Sequence, residues 1–70
     1  MRIRLNGDAL ELRDRATLAE AADRAGADPE ARGLAAAVDG EVVPRAEWEA
    51  TELADGQTVE VVRAIQGGAL

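Results

Sequence analysis

The residues with the clearest chemical potential stand near the C-terminus, where Gln66, Gly67 and Gly68 are followed by Ala69 and Leu70. Glycine has no side chain, so a Gly-Gly segment can thread a narrow active-site channel and can adopt many backbone conformations. A partner enzyme could then reach a carboxylate at the end of a flexible segment. We therefore predict that residues 66–70, which include Gly67 and Gly68, form a mobile tail.

Side-chain chemistry is largely excluded by composition. The chain contains no cysteine and no histidine, and all eight of its basic residues are arginine. A thiol nucleophile, an imidazole base, a lysine Schiff base and a Cys/His zinc site are therefore ruled out. The acidic residues do not form the clustered pattern of a calcium loop. We predict neither a metal site nor a bound cofactor, and we predict that the protein is not an enzyme.

Length and charge restrict the partners. Seventy residues make one small domain, and the net charge of −6 disfavours nucleic acid, whose phosphates require a basic surface. A partner with a basic surface is more compatible with this charge. No apolar run reaches the length of a transmembrane helix, and the first residues do not resemble a signal peptide. We expect a cytoplasmic protein with neither nucleic-acid nor membrane partners.

Two strands and a helix are predicted in the first half of the chain. Apolar and polar residues alternate on both sides of Asn6-Gly7, and this pair favours a tight hairpin because both residues tolerate a positive φ. Thr17 and Glu20 then match a capping box, and Gly26 can close the helix. A further turn is predicted at Asp28-Pro29. The apolar stripe of the helix consists of Leu18, Ala21, Ala22 and Ala25.

The sequence of the second half of the chain predicts another hairpin and a final strand. The segment LAAAVDGEVVP turns at Asp39-Gly40, and a helical turn over 45–49 carries Trp48, which we expect to fill volume in an alanine-rich core. After a turn at Asp55-Gly56, the last strand runs to Ile65. One helix must then cover one face of a mixed sheet, with the first and last strands adjacent at its centre. The predicted class is α+β, a β-grasp or ubiquitin-like domain over residues 1–65, followed by the tail at 66–70.

The last strand has two faces, because successive side chains alternate. Val59, Val61 and Ile65 are predicted to face the helix. Val62 and Ala64 are predicted to face away from it. Together with Arg2 and Arg4 of the first strand, and Gln66 beyond, they form a candidate partner-binding patch. The alternative is that isolated exposed apolar residues carry no function, which is normal for protein surfaces.

The chain resembles the ThiS family, the sulfur-carrier proteins of thiamine biosynthesis. The resemblance covers nearly the whole chain and rests on the segments RIRLNG, AAAVDGEVVPRAEW, LADG and VEVVRAIQGG. It implies that an adenylating enzyme related to the ubiquitin-activating enzymes uses ATP to activate the carboxylate of Gly68. Sulfur from a persulfide donor then displaces AMP to leave a thiocarboxylate, and a thiazole synthase accepts that sulfur.

The chain departs from this family at its end, because members normally finish at Gly-Gly. With Ala69 and Leu70 present, Gly68 lies within an amide and cannot be adenylated. A peptidase, for example of the metal-dependent JAMM type, could remove the two residues. Alternatively they come from cloning or from the gene assignment, or the protein is an inactive or repurposed relative. Another sulfur pathway (molybdopterin, cysteine or a secondary metabolite) and a ubiquitin-like modifier function also stay open.

Overall fold

The computed structural model describes residues 1–26 and 33–63. Several predicted features lie outside these ranges and are not described. They are the Asp28-Pro29 turn, the end of the last strand at Ile65 and the whole tail.

The described residues form five strands, one α-helix and one 3₁₀ helix. The strands are β1 (Arg2–Leu5), β2 (Asp8–Glu11), β3 (Leu34–Val38), β4 (Glu41–Val43) and β5 (Thr58–Arg63), and the helices are α1 (Leu18–Arg24) and the 3₁₀ helix (Arg45–Ala50).

The strands form a single mixed sheet in the order β2-β1-β5-β3-β4. β1 and β5 are parallel, with Arg4 opposite Thr58 and Leu5 opposite Val59. The other three pairings are antiparallel. β5 is therefore the central strand, with β1 beside it, and α1 packs on one face. This arrangement confirms the predicted β-grasp.

Both predicted hairpins are present, and both turn through residues with positive φ. Asn6 and Gly7 have φ of 49° and 90°, and Asp39 and Gly40 have φ of 51° and 86°. Two consecutive positive φ angles are typical of the type I′ turn, whose twist matches that of the flanking strands. The local sequence thus determines where both hairpins reverse.

The helix begins where the capping box predicts. The Thr17 hydroxyl accepts a hydrogen bond from the backbone N–H of Glu20, and the Glu20 carboxylate accepts one from the backbone N–H of Thr17. Arg13 adds a second restraint, because its Nε donates to Glu20 Oε1 at 2.9 Å. These bonds satisfy N–H groups that a helix start leaves without intrahelical partners.

The core lies between α1 and the sheet and contains many alanines. Ile3, Leu18 and Val59 are its largest fully buried side chains. Of the predicted helical stripe, Leu18, Ala21 and Ala22 are buried, whereas Ala25 is exposed at the C-cap. The buried set is completed by Leu5, Leu12, Ala16, Ala36, Trp48, Leu53 and Val61.

Trp48 closes one side of this core, as predicted. Its side chain is only 5% exposed, and its indole N–H donates to the carbonyl of Val43 at 2.9 Å. The guanidinium carbon of Arg45 lies 5.1 Å from the ring centroid, within the range of a cation–π contact. Trp48 therefore links the 3₁₀ helix both to the core and to the end of β4.

Two substitutions of Trp48 should distinguish how much its buried volume and its hydrogen bond each contribute to the free energy of unfolding. Trp48→Phe should lower the free energy of unfolding by about 1–2 kcal/mol, because the Val43 carbonyl loses its donor. Trp48→Ala should cost about 3–5 kcal/mol, since a buried aromatic is lost without replacement. Urea unfolding followed by circular dichroism measures both values. If both variants lost the same free energy of unfolding, the buried volume of Trp48 would not be its main contribution to stability.

The Arg13–Glu20 contact predicts a pH dependence of stability. Hydrogen bonding from Arg13, followed by that from the Thr17 backbone, holds the pKa of Glu20 below its ordinary value. Because that pKa is lower in the folded chain, ionised Glu20 stabilises the fold above the unfolded-state pKa. This contribution is lost as the pH falls through the folded-state pKa.

The free energy of unfolding of Glu20→Gln should therefore fall below that of the unmodified chain at pH 7, and the difference should shrink in acid. Arg13→Gln, which removes the main cause of the shift, should abolish most of the same pH dependence. A stability difference that stays constant from pH 7 to pH 3 would contradict this account.

Candidate docking face and the end of the central strand

The sheet has one face without a helix, and strand register determines which residues lie on it. Val62 of β5 is opposite Ala35 of β3, and Ala37 of β3 is opposite Val42 of β4. Because paired residues share a face, these four side chains lie on the helix-free side. We call Ala35, Ala37, Val42 and Val62 the open-face patch.

This patch contains the two large hydrophobic side chains that are most exposed among the described residues. Val42 is 71% exposed and Val62 is 55% exposed, with the smaller Ala35 and Ala37 half-buried on the strand between them. Glu60 is exposed on the same face, opposite Ala37. The patch is therefore apolar with an acidic neighbour, a combination that suits an apolar contact bordered by basic groups.

Sequence reasoning identified Val62 but missed the other three members. The predicted neighbours of Val62 lie on β5 itself and on β1, whereas the observed neighbours come from β3 and β4. One signal was present, since Val42 and Val43 are adjacent and alternation allows only one of them to face the core. Ala35 and Ala37 gave no comparable signal, because alanine is compatible with either face.

Arg2 and Arg4 lie on the same face but not beside Val62. Arg4 is opposite Thr58, four residues before Val62 and thus roughly 13 Å away along the strand. Arg2 Nε is 3.4 Å from the Glu11 carboxylate, and Arg4 Nη1 donates to the carbonyl of Gly7 at 3.1 Å. The two arginines therefore occupy the opposite end of the face from the open-face patch.

The other predicted site residues, Ala64, Gln66, Gly67 and Gly68, lie outside the described residues. We call residues 64–68 the C-terminal arm. β5 leads directly into it, and Gly68 is the fifth residue after Arg63. Five residues span at most about 18 Å when fully extended, so the end of β5 limits where the Gly68 carboxyl group can reach.

β5 is held on both sides as far as Val61, by different means on each side. On one side β3 pairs with it up to Arg63, which is opposite Leu34. On the other side β1 ends at Leu5 and the chain turns away at Asn6. The Asn6 side chain then continues the contact, because its Oδ1 accepts from the Val61 N–H at 2.9 Å and its Nδ2 donates to the Val61 carbonyl at 3.2 Å.

The start of β5 has a matching restraint on its other side. Asp39, at the same position in its type I′ turn as Asn6, accepts a hydrogen bond from the Thr58 N–H at 2.9 Å. The Asp39 N–H in turn donates to the Thr58 carbonyl at 2.7 Å. Sequence reasoning assigned both residues to turns only, because Asn-Gly and Asp-Gly are already explained by turn geometry.

The open-face patch does not border the groove described next, which lies on the helix side of the sheet. A groove of about 750 Å³ runs between α1 and the 3₁₀ helix, on the side of the sheet opposite the open-face patch. Residues 1–26 and 33–63 contain no group of three or more Asp or Glu side chains placed to hold a metal ion. None of the helices in these ranges has the length and apolar character needed to cross a bilayer.

Comparisons with known proteins identify the family to which this chain belongs. The family model for the ThiS family matches residues 3–68. A crystal structure of a thiamine biosynthesis protein (ThiS) from Geobacter metallireducens has the same fold, with a TM-score of 0.78 and 24% sequence identity over 97% of this chain and 100% of that chain. A comparison with curated proteins gave no match. Since the family match spans nearly the whole chain, this protein belongs to the ThiS family.

Proposed function

We propose that this protein is a sulfur carrier for thiamine biosynthesis, with the carboxyl group of Gly68 as its working group. The observation that carries the proposal is the extent of the family match, which runs through Gly67 and stops at Gly68. Ala69 and Leu70 fall beyond it. The thiamine biosynthesis protein with the same fold supports the pathway.

The proposed chemistry begins with removal of Ala69 and Leu70 by hydrolysis of the Gly68–Ala69 amide. The freed Gly68 carboxylate attacks the α-phosphate of ATP, and pyrophosphate leaves. Activation is required because an ionised carboxylate is a poor acyl donor at neutral pH. The product is an acyl-adenylate, in which AMP is a good leaving group.

Sulfur enters when the terminal sulfur of a persulfide attacks the acyl carbon and AMP departs. The resulting acyl disulfide is cleaved by a thiol, which leaves the thiocarboxylate on Gly68 and a disulfide on the donor side. A thiazole synthase then takes the sulfur. The carrier provides no catalytic side chain in these steps, in keeping with a sequence that lacks cysteine, histidine and lysine.

The fold contributes a rigid base from which the arm extends and a surface for docking. Arg63, the last described residue of β5, precedes Gly68 by five residues, and the open-face patch includes Val62 beside it. An adenylating enzyme that contacts the open-face patch would therefore be positioned close to the arm. We propose this patch as its docking site, in place of the smaller patch centred on Val62, Ala64 and the arginines.

Removal of the last two residues should decide whether the chain can be activated. A chain ending at Gly68 should support ATP–pyrophosphate exchange with the adenylating enzyme from the same host, whereas the 70-residue chain should not. The physical reason is that an amide carbonyl carries no nucleophilic carboxylate oxygen. Exchange with the uncleaved 70-residue chain would contradict the assignment of Gly68.

The fate of sulfur separates the carrier from a ubiquitin-like modifier. Intact-mass spectrometry of the protein from its host should show loss of Ala69-Leu70 and replacement of one oxygen by sulfur in part of the population. Conjugates to amines of other proteins, without any thiocarboxylate, would instead favour the modifier function.

The open-face patch predicts a variant that binds its enzyme poorly. Val62→Asp should weaken binding of the Gly68-terminated chain to the adenylating enzyme at least tenfold, because a carboxylate would be desolvated within an apolar contact. Isothermal titration calorimetry measures this affinity. Circular dichroism should show that the folded content is retained, since Val62 is already largely exposed.

Ala9→Asp is the matched control, because it places the same charge on the same face beside Arg4, opposite Ala9 in β1. Its affinity should stay within about twofold of the unmodified chain. Equal weakening by both variants would show that added charge on this face, rather than the open-face patch, controls binding.

A further inference from the structure

Asn6 makes an unusual contact for a turn residue. Its carboxamide donates to and accepts from the backbone of Val61, which lies 55 residues away in sequence. The side-chain amide of Asn6 thus takes the place of the backbone N–H and C=O that another β1 residue would offer, although β1 itself ends at Leu5. Neither glycine nor aspartate, which also suit this turn position, could provide both bonds, because glycine has no side chain and an ionised carboxylate cannot donate.

The contact of Asn6 lies at Val61, close to the last described residue of β5. Hydrogen bonds along the β1 side run from Arg4 N–H to the Gln57 carbonyl, then from Asn6 N–H to the Val59 carbonyl, each at 2.9 Å. The Asn6 side chain adds the Val61 pair. Beyond Val61, the described residues hold β5 only through β3, at Val62 and Arg63. Val61 is thus the last described residue of β5 that is held on both sides.

We infer that Asn6 is a positioning residue for the C-terminal arm, an inference that rests on the proposed function. Its carboxamide fixes the direction in which β5 continues toward Gly68. Without it, β5 would be held on both sides only as far as Val59, and the arm would pivot from a point two residues earlier. Val62 would still pair with Ala35 of β3 and stay on the helix-free face, but the Gly68 carboxylate would come within reach of the α-phosphate less often.

This role predicts a specific kinetic signature. Productive attack requires reacting atoms within about 3–3.5 Å and aligned, so small errors of placement lower the rate of the chemical step. Loss of the Asn6 side chain should therefore lower kcat for adenylation and leave KM nearly unchanged. Loss of docking at the open-face patch, by contrast, should raise KM.

Asn6→Gly tests the inference, because glycine accepts a positive φ and preserves the turn while both side-chain bonds disappear. Asp39→Gly is the matched control. It makes the same change at the same turn position and removes a side-chain bond to β5, but at Thr58 rather than at Val61. Both variants are made in the chain ending at Gly68 and assayed well below their unfolding temperatures.

Two measurements are made on both variants. In amide hydrogen exchange, Asn6→Gly should accelerate exchange at Val61 about fivefold and extend faster exchange to Val62 and Arg63, since a hydrogen bond of this kind contributes about 1 kcal/mol. Asp39→Gly should accelerate exchange mainly at Thr58. In pyrophosphate exchange with the adenylating enzyme, Asn6→Gly should lower kcat about tenfold, whereas Asp39→Gly should leave it within about twofold.

The outcomes distinguish this inference from the proposed function. If the unmodified Gly68-terminated chain shows no pyrophosphate exchange, the proposed function fails. If that chain is active and Asn6→Gly lowers kcat no more than Asp39→Gly does, Asn6 only stabilises the fold and the inference is overturned. A rise in KM without a fall in kcat would overturn it as well.

Discussion

The rest of the structure depends on the position of β5 between β1 and β3. A parallel pair cannot be joined by a short turn, so the chain must cross over between β1 and β5, and α1 lies within this long connection. The helix covers the face on which Val59 and Val61 are buried. β5 therefore closes the core, and it is also the last described strand before Gly68 in the sequence. The strand that precedes the proposed reactive group is thus paired with a strand on each side.

This constraint explains how a small domain with an alanine-rich core can offer a well-defined end to its last strand. Four of the twelve buried apolar residues are alanine, and alanine contributes little buried area for each residue. The large side chain of Trp48, which is only 5% exposed, compensates in part for this. The backbone and side-chain bonds that Asn6 and Asp39 make to β5 are independent of core volume. Precision at the end of β5 therefore does not require a large hydrophobic core.

Much of this architecture could be predicted from the sequence, because local chemistry determines it. The Asn6-Gly7 and Asp39-Gly40 pairs require turns with positive φ, and Thr17 with Glu20 specifies where α1 begins. The contacts that could not be predicted depend on register between distant segments. The Asn6–Val61 pair, the Asp39–Thr58 pair and the neighbours of Val62 all follow from how β5 aligns with β1 and β3. Residue type and spacing along the chain contain no direct signal of that alignment.

Because the chain lacks cysteine, histidine and lysine, we assign the proposed chemistry to the C-terminal carboxylate and not to a side chain of the fold. Under the proposed function the reactive group is the carboxylate of Gly68, and side-chain substitution cannot tune it, since glycine has no side chain. What the domain can control is the direction and reach of the arm and the surface that the enzyme contacts. The residues proposed for these two properties lie near the same end of β5, with Asn6 on the β1 side and the open-face patch on the helix-free face. Direction and docking can consequently change independently, because the Val61 backbone bonds lie in the plane of the sheet whereas the Val62 side chain projects from it.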